Sequence, residues 1–342
     1  KYPKLFLYVN KPFKNMLDRF LKDPRLKAIV SQMWGYYGLP PAQLSPIYFS
    51  FPWYDYLCNG GYYLEGGSQS LSDAFVSSIK ESKGEVLLNS EVKKIIISRN
   101  IAVGVITRNN QEFFADIVIS NADANKTFNN FVGDKFLPKN FLKKLKNMQP
   151  SISAFQLYLG LNTDLKSKGI CDYEIFYNLS YDLDNQYQAF MNNDDIDKML
   201  YAITIYSNID PTVAPPGKSA VGIIALSGYD FWNKLSKNEY IEKKKQVTEI
   251  LIKRAEKVIP GLSSYIEKMV VATPLTMERY TENYKGAIYG WSQIISQSGI
   301  NRLDFKTPIK NLYLASSWTR PGGGITGVVY CGDRVAERIL RK

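Results

Sequence analysis

Phe13, Met16, Leu17, Phe20 and Leu21 recur at three- and four-residue spacing, which predicts an amphipathic helix. Asp23-Pro24 reads as an N-cap and first helical position, opening a second helix through Leu26, Ile29, Val30 and Met33 to Gly35. The stretch 38–57 is aromatic, proline-rich and nearly uncharged. It suits core packing and the wall of an apolar cavity equally well. Gly60-Gly61 and Gly66-Gly67 then bracket a turn, and Ser68 is placed to cap a helix carrying Leu71, Phe75 and Ile79 that stops at Gly84. Strand patterns follow at 85–88, 91–98, 101–107, 112–114 and 116–120, read as one meander with a turn at Asn109-Asn110. Beyond residue 150 the pattern changes. Aromatic and β-branched strands are predicted at 153–161, 173–177, 200–206 and 220–226, with a charged covering helix over about 238–258 that ends at Pro260-Gly261.

The C-terminal segment has its own signature. An apolar strand at 312–315 leads through a short loop to Gly322-Gly323-Gly324 and a helix ending near Arg341. Bare backbone at the glycines and unpaired N–H groups at the helix start form a receptor for an anion or dipole. Gly322, Gly324 and Gly327 satisfy G-x-G-x-x-G, but a dinucleotide-binding unit also needs a second strand and an acidic residue about 20 positions on. The residues after Gly327 read as a single helix, so the loop is expected to close on a ligand held mainly elsewhere.

Composition narrows the chemistry. The chain has 342 residues, 45% of them hydrophobic, a length that predicts two domains. Histidine is absent, which removes Ser-His-Asp and Cys-His catalysis, His-ligated metals and imidazole proton transfer together. No metal site is expected, and the chemistry is expected to come from a cofactor. Cys58, Cys171 and Cys331 lack metal spacing and read as core filler in a reducing compartment, so the expected location is cytoplasmic. The net charge of +11 is spread along the chain, which favours solvated lysines over a nucleic-acid surface. One segment, from Lys139 to Met148, sets Phe141, Leu142, Leu145 and Met148 on one face and Lys143, Lys144 and Lys146 outside it. It fits either a peripheral membrane contact or, more commonly, a surface helix packed on the core. No run is long and apolar enough for a transmembrane helix.

The order of motifs resembles one family. Gly60-Gly-Tyr-Tyr-Leu-Glu-Gly-Gly-Ser-Gln-Ser-Leu, then Ser90-Glu-Val-Lys-Lys-Ile, then Ala115-Asp-Ile-Val-Ile-Ser-Asn-Ala-Asp are the first three. Thr273-Pro-Leu-Thr-Met-Glu-Arg-Tyr with Gly286-Ala-Ile-Tyr-Gly-Trp, and Leu312-Tyr-Leu-Ala with the terminal Pro-Gly-Gly-Gly, complete the set. Together they resemble the phytoene desaturase, carotenoid isomerase and retinol saturase branch of the FAD-dependent amine-oxidase-like superfamily. The resemblance implies a mixed α/β fold in which 57–129 and 286–342 belong to an FAD domain, and 1–56 and 130–285 to a substrate domain on an antiparallel sheet. The family opens with a βαβ segment that grips the FAD pyrophosphate, and nothing before Gly60 supplies it. The chain is therefore expected to be the C-terminal two-thirds of a flavoenzyme that holds FAD poorly by itself.

The resemblance also places a site. Val92 matches a position whose backbone pairs with the adenine edge, Asn121-Ala122 a strand end facing the cofactor, and Gly66, Gly67 and Ser68 a loop beside the flavin. Gly322, Gly323, Gly324 and Thr326 match the loop and helix start under the flavin ring. Tyr289 and Trp291 match a wall of the substrate cavity, with same-face core packing an equal alternative. Glu278, Arg279 and Arg320 adjoin motif positions without an assigned role. The implied reaction is flavin-borne desaturation, saturation or isomerisation of carbon–carbon bonds in a polyisoprenoid, carotenoid or retinoid-like substrate. An amine oxidase relative, or a non-catalytic basic domain that binds membranes, stand as alternatives.

Overall fold

The computed structural model describes residues 7–192 and 200–341. Three helices lead in: α1 (Phe13–Phe20), α2 (Pro24–Val30), capped by the Asp23 side chain on the Arg25 amide, and α3 (Pro46–Asn59). The sequence pattern left 38–57 without an element, yet a helix of 14 residues forms there. Pro46 opens it, and Pro52 sits inside it without ending it. Next come α4 (Ser68–Glu81) and an antiparallel meander of β1 (Val92–Ser98), β2 (Ile101–Thr107) and β3 (Glu112–Phe114). Asn110 adopts φ +64°, as the predicted turn requires.

Two expectations in this stretch need correction. Residues 85–88 form no strand, and Leu87 and Leu88 stand exposed beside no neighbouring strand. β4 (Val118–Ser120) leaves the meander and instead pairs in parallel with the late strand β10 (Leu312–Leu314), Ile119 opposite Tyr313. A local alternation pattern carries no information about a partner two hundred positions away.

A five-stranded antiparallel sheet of order β6-β7-β8-β5-β9 makes the other layer. Its strands are β5 (Ser153–Leu161), β6 (Glu174–Tyr177), β7 (Tyr201–Ile205), β8 (Ser219–Ser227) and β9 (Ile266–Ala272), the last unforeseen. β5 and β8 register residue for residue from Ser153↔Ser227 to Leu161↔Ser219. The long helix (Lys237–Ala255) lays Val247, Leu251 and Ala255 onto this sheet, and its Ser236–Glu239 capping box fixes where it starts.

Buried side chains form two clusters. The larger joins Phe13, Trp34 and Phe49 to the five-stranded sheet; the smaller gathers Ile95, Val118, Phe128, Leu314 and Trp318 around the β4–β10 pair. The second cluster takes in Phe131 to Met148, which the family resemblance assigned to the substrate domain. The Lys139–Asn147 helix spends its apolar face there: Leu145 and Met148 are buried, and Phe141 stacks edge-on against Phe128 at 4.8 Å. It packs on the core as a surface helix, the commoner of the two readings. Cys58 and Cys171 are exposed, which corrects the core-filler reading; Cys331 alone is buried, its sulfur 3.0 Å from the Thr319 hydroxyl.

Candidate functional site

β10 ends at the lip of the glycine loop, and the helix after it (Ile325–Leu340) begins with Gly324 as its N-cap. The loop is fixed from behind. Arg302, 1% exposed, donates from Nε to the Thr319 carbonyl at 2.9 Å and from Nη2 to the carbonyls of Ser317 at 2.6 Å and Tyr289 at 3.3 Å. Trp318 packs edge-on against Trp291 at 4.7 Å, and the Tyr48 hydroxyl donates to the Gly323 carbonyl at 2.9 Å.

Each glycine of the three has its own reason. Gly322 holds φ +129°, and a Cβ there would collide with the Gln293 amide nitrogen and come within 3.3 Å of the Arg302 guanidinium carbon. A Cβ on Gly323 would lie 2.9 Å from the Tyr289 Cα. Gly324 holds φ +92° and faces open space. Inner packing thus demands the first two, while the third bares helix-start N–H groups to a ligand. Thr326 is exposed in the first helical turn.

The other predicted positions gather unevenly. The Asn121 side chain donates to the Ala315 carbonyl, locking the end of β4 to the end of β10, and Ala122 packs on the smaller cluster behind it. Gly66 and Gly67 sit at φ +77° and +80°, and the Gly66 amide donates to Asp210 Oδ2 at 2.8 Å. Ser68 is the first residue of α4, which Gly67 caps without a side-chain bond, so the expected serine cap does not form. Val92 opens β1 opposite Thr107, in a different sheet from β10. Tyr289 and Trp291 part company. Tyr289 lies against the glycine loop and reaches the Gly35 carbonyl at 3.4 Å, whereas Trp291 is wholly buried in the smaller cluster. The backbone here is irregular rather than a strand, and Trp291 takes the core-packing alternative that the sequence left open. Glu278 accepts from the Tyr229 hydroxyl and the Lys285 amide, and Arg320 pairs with Asp304; both are structural contacts.

Three site residues escaped the sequence reading: Arg302, Gln293 and Glu174. Glu174, on β6, shares a hydrogen bond with the Tyr36 hydroxyl and accepts from Thr204 at 3.5 Å. Its charge reaches the phenols of Tyr56, Tyr173, Tyr206 and Tyr289. Burial raises its carboxyl above the ordinary glutamate value, and burial likewise raises the phenols of Tyr36 and Tyr289. The result is an aromatic, weakly polar basin beside the glycine loop, its hydroxyls all protonated at neutral pH. The aromatic stretch 38–57 hinted at it as a cavity wall, but nothing in the sequence pointed to Glu174.

Residues 4–340 match the family described as flavin containing amine oxidoreductase. The chain belongs to that family. It is 27% identical over 335 residues to a 4,4'-diapophytoene desaturase (4,4'-diapolycopene-forming) of Methylomonas sp, covering 95% of this chain and 62% of the relative. It is also 27% identical over 325 residues to the chloroplastic prolycopene isomerase of Arabidopsis thaliana, covering 94% and 53%. The chain thus spans between half and two-thirds of the length of these relatives. The crystal structure of an oxidoreductase from Methanosarcina mazei superposes with a TM-score of 0.67 at 17% identity, over 96% of this chain and 68% of that one. The family's fold is therefore the amine-oxidase-like one, and flavin is its cofactor. The loop fits that cofactor on this chain's own terms: an open Gly324 at a helix start, above a buried guanidinium whose Nη1 has no acceptor.

Proposed function

We propose that the chain belongs to an FAD-dependent oxidoreductase acting on carbon–carbon bonds of a long apolar, polyisoprenoid-like substrate. The observation that carries this reading is the similarity along nearly the whole chain to proteins named for desaturation and isomerisation of polyenes. The basin agrees with it, since tyrosine rings and one protonatable carboxyl suit an apolar guest better than a charged one.

A bound flavin would supply the two-electron acceptor for a substrate hydride, a chemistry that adds negative charge at the site. The chain's part is positioning. Tyr289, set between the glycine loop and Gly35, forms the surface on which a substrate carbon rests against the cofactor. The N-terminus of the last helix turns its positive dipole end toward the developing charge. Tyr36, Tyr56 and Tyr173 line the approach and displace water from it.

A substrate of this kind resides in membranes, and a second surface supports peripheral contact there. α1, α2 and α3 expose Phe20, Leu26, Ile29, Phe51, Tyr54 and Leu57 around an apolar groove of about 370 Å³, beside exposed Lys11, Arg19 and Lys22. Apolar side chains ringed by cations suit an anionic bilayer surface.

The test is a flavin spectrum of the purified protein in its full natural length, followed by anaerobic bleaching with polyenes and with amines. Bleaching by polyenes alone supports the proposal. Bleaching by amines alone moves the amine-oxidase alternative forward, and a colourless folded protein overturns both.

A further inference from the structure

Arg302 is the most heavily buried cation described in the chain that the fold alone does not explain. Its guanidinium is 1% exposed, yet among the described residues no carboxylate forms an ion pair with it. Backbone carbonyls of Ser317, Thr319 and Tyr289 take two of its three arms, and Nη1 has no acceptor. A clamp for three carbonyls requires only donors, which neutral amides supply. A full buried charge is a far more costly way to build one. Burial draws the guanidinium down to about 10, still well above neutrality, so the charge is retained.

Its position gives that charge a purpose. Gly322 lies directly over the guanidinium, close enough that a single added Cβ would approach the guanidinium carbon at 3.3 Å. The same Cβ would strike the Gln293 amide, so Gln293 and Arg302 meet under one point of the loop. On the outer side, Gly324 opens the Ile325–Leu340 helix into free space. The loop is thus one backbone layer between an unpaired buried cation and the flavin site.

We infer that Arg302 is a positioning residue that tunes the flavin: its unpaired charge, acting through the glycine loop, favours the reduced and negatively charged cofactor. Hydride acceptance moves two electrons and one proton from the substrate carbon onto the flavin, leaving one added negative charge to be stabilised. A full cation fixed a few ångströms behind the loop supplements the helix dipole, which amounts to only about half a charge. The inference rests on the flavin reading proposed above.

The test uses the full-length protein reconstituted with FAD, reading the two-electron midpoint potential by dye-coupled anaerobic reduction alongside FAD affinity. Arg302→Met removes the charge. Gln293→Glu leaves Arg302 and its three carbonyl bonds in place but sets a carboxylate beside it, cancelling the charge at nearly constant shape. Both are expected to shift the equilibrium away from reduced flavin by about tenfold, some 30 mV more negative for a two-electron couple. Arg302→Lys, which keeps the charge and weakens the clamp, is expected to hold the potential near wild type while lowering FAD affinity. A wild-type potential in flavin-loaded Gln293→Glu overturns the inference and leaves the flavin site standing, and that variant decides the matter if Arg302→Met does not fold. A wild-type protein that holds no FAD overturns the site itself.

Discussion

The two halves of the molecule treat their apolar residues in opposite ways. In the five-stranded sheet and its covering helices, Phe155, Leu157, Ile203, Ile223 and Leu251 are entirely buried, and the central β5–β8 and β7–β8 registers run unbroken. α4 by contrast buries none of its 14 residues, leaving Phe75 and Ile79 exposed, and on β4 and the helix after the glycine loop Ile119, Ile325, Val329 and Tyr330 are each about half exposed. The first region carries its own stability. The second is a set of elements whose apolar faces and helix start are turned outward among the described residues. A site that must admit a large cofactor cannot also be the best-packed part of the fold.

The comparison is broken most sharply by core truncation. Trp34 is fully buried and stacks on Phe190 at 6.0 Å, so Trp34→Ala is expected to cost about 3–5 kcal/mol in denaturant unfolding. Phe75→Ala, on a helix that buries nothing, is expected to stay within about 0.5 kcal/mol. Equal losses from both would show that α4 packs as tightly as the sheet, and the contrast would fail.

Within the glycine loop the same method separates inner from outer roles. Gly322→Ala meets both a φ of +129° and the Gln293 amide, a combined strain of about 1–3 kcal/mol that should weaken FAD binding roughly five- to 150-fold in a fluorescence titration. Gly324→Ala faces only the φ penalty, about 1 kcal/mol, with open space around the added methyl. The larger effect at Gly324 would mean that ligand clearance, rather than inner packing, sets the loop's composition.

What the sequence made legible follows the same divide. The sheet unit is readable because its strands are locally rich in aromatic and β-branched residues: the predictions at 153–161 and 220–226 land on Ser153–Leu161 and Ser219–Ser227. The terminal strand, glycine loop and helix are readable because bare backbone and a helix start are local features. The parallel pairing of β4 with β10 was hidden because nothing within Val118–Ser120 encodes a partner at Leu312. Arg302 and Glu174 were hidden for a similar reason. A buried charge leaves no mark on local periodicity, and only the folded neighbourhood distinguishes it from a solvated one. Trp291 fits the core-packing alternative, although the chain bends there and does not form the strand that its spacing from Tyr289 suggested.

Those two aromatics sharpen the comparison at the boundary between the halves. Tyr289→Ala should lower turnover about tenfold with FAD still bound, since the ring borders the loop without holding it by a side-chain bond. Trp291→Ala should instead show its loss in thermal unfolding, because that ring is packed into the smaller core against Trp318. If Trp291→Ala proved stable and slow while Tyr289→Ala proved unstable, the assignment of wall and core would be reversed.

The smallest effect concerns the basin that joins the regions. Burial raises the Glu174 carboxyl above its unfolded value of 4.5, so the native state holds that proton more tightly than the unfolded chain does. The stability this provides is complete below the unfolded value and is lost as pH climbs through the raised folded value. Glu174→Gln cannot titrate, and it keeps a neutral hydrogen-bonding group beside Tyr36 and Thr204. Relative to that variant, the wild-type Tm should therefore fall slightly as pH rises from the unfolded carboxyl value of 4.5 through the raised folded value. A wild-type advantage that instead grew with pH would mean that the basin stabilises the ionised carboxylate. An aromatic enclosure around a carboxylate favours cationic guests, and that result would count for amines over polyenes.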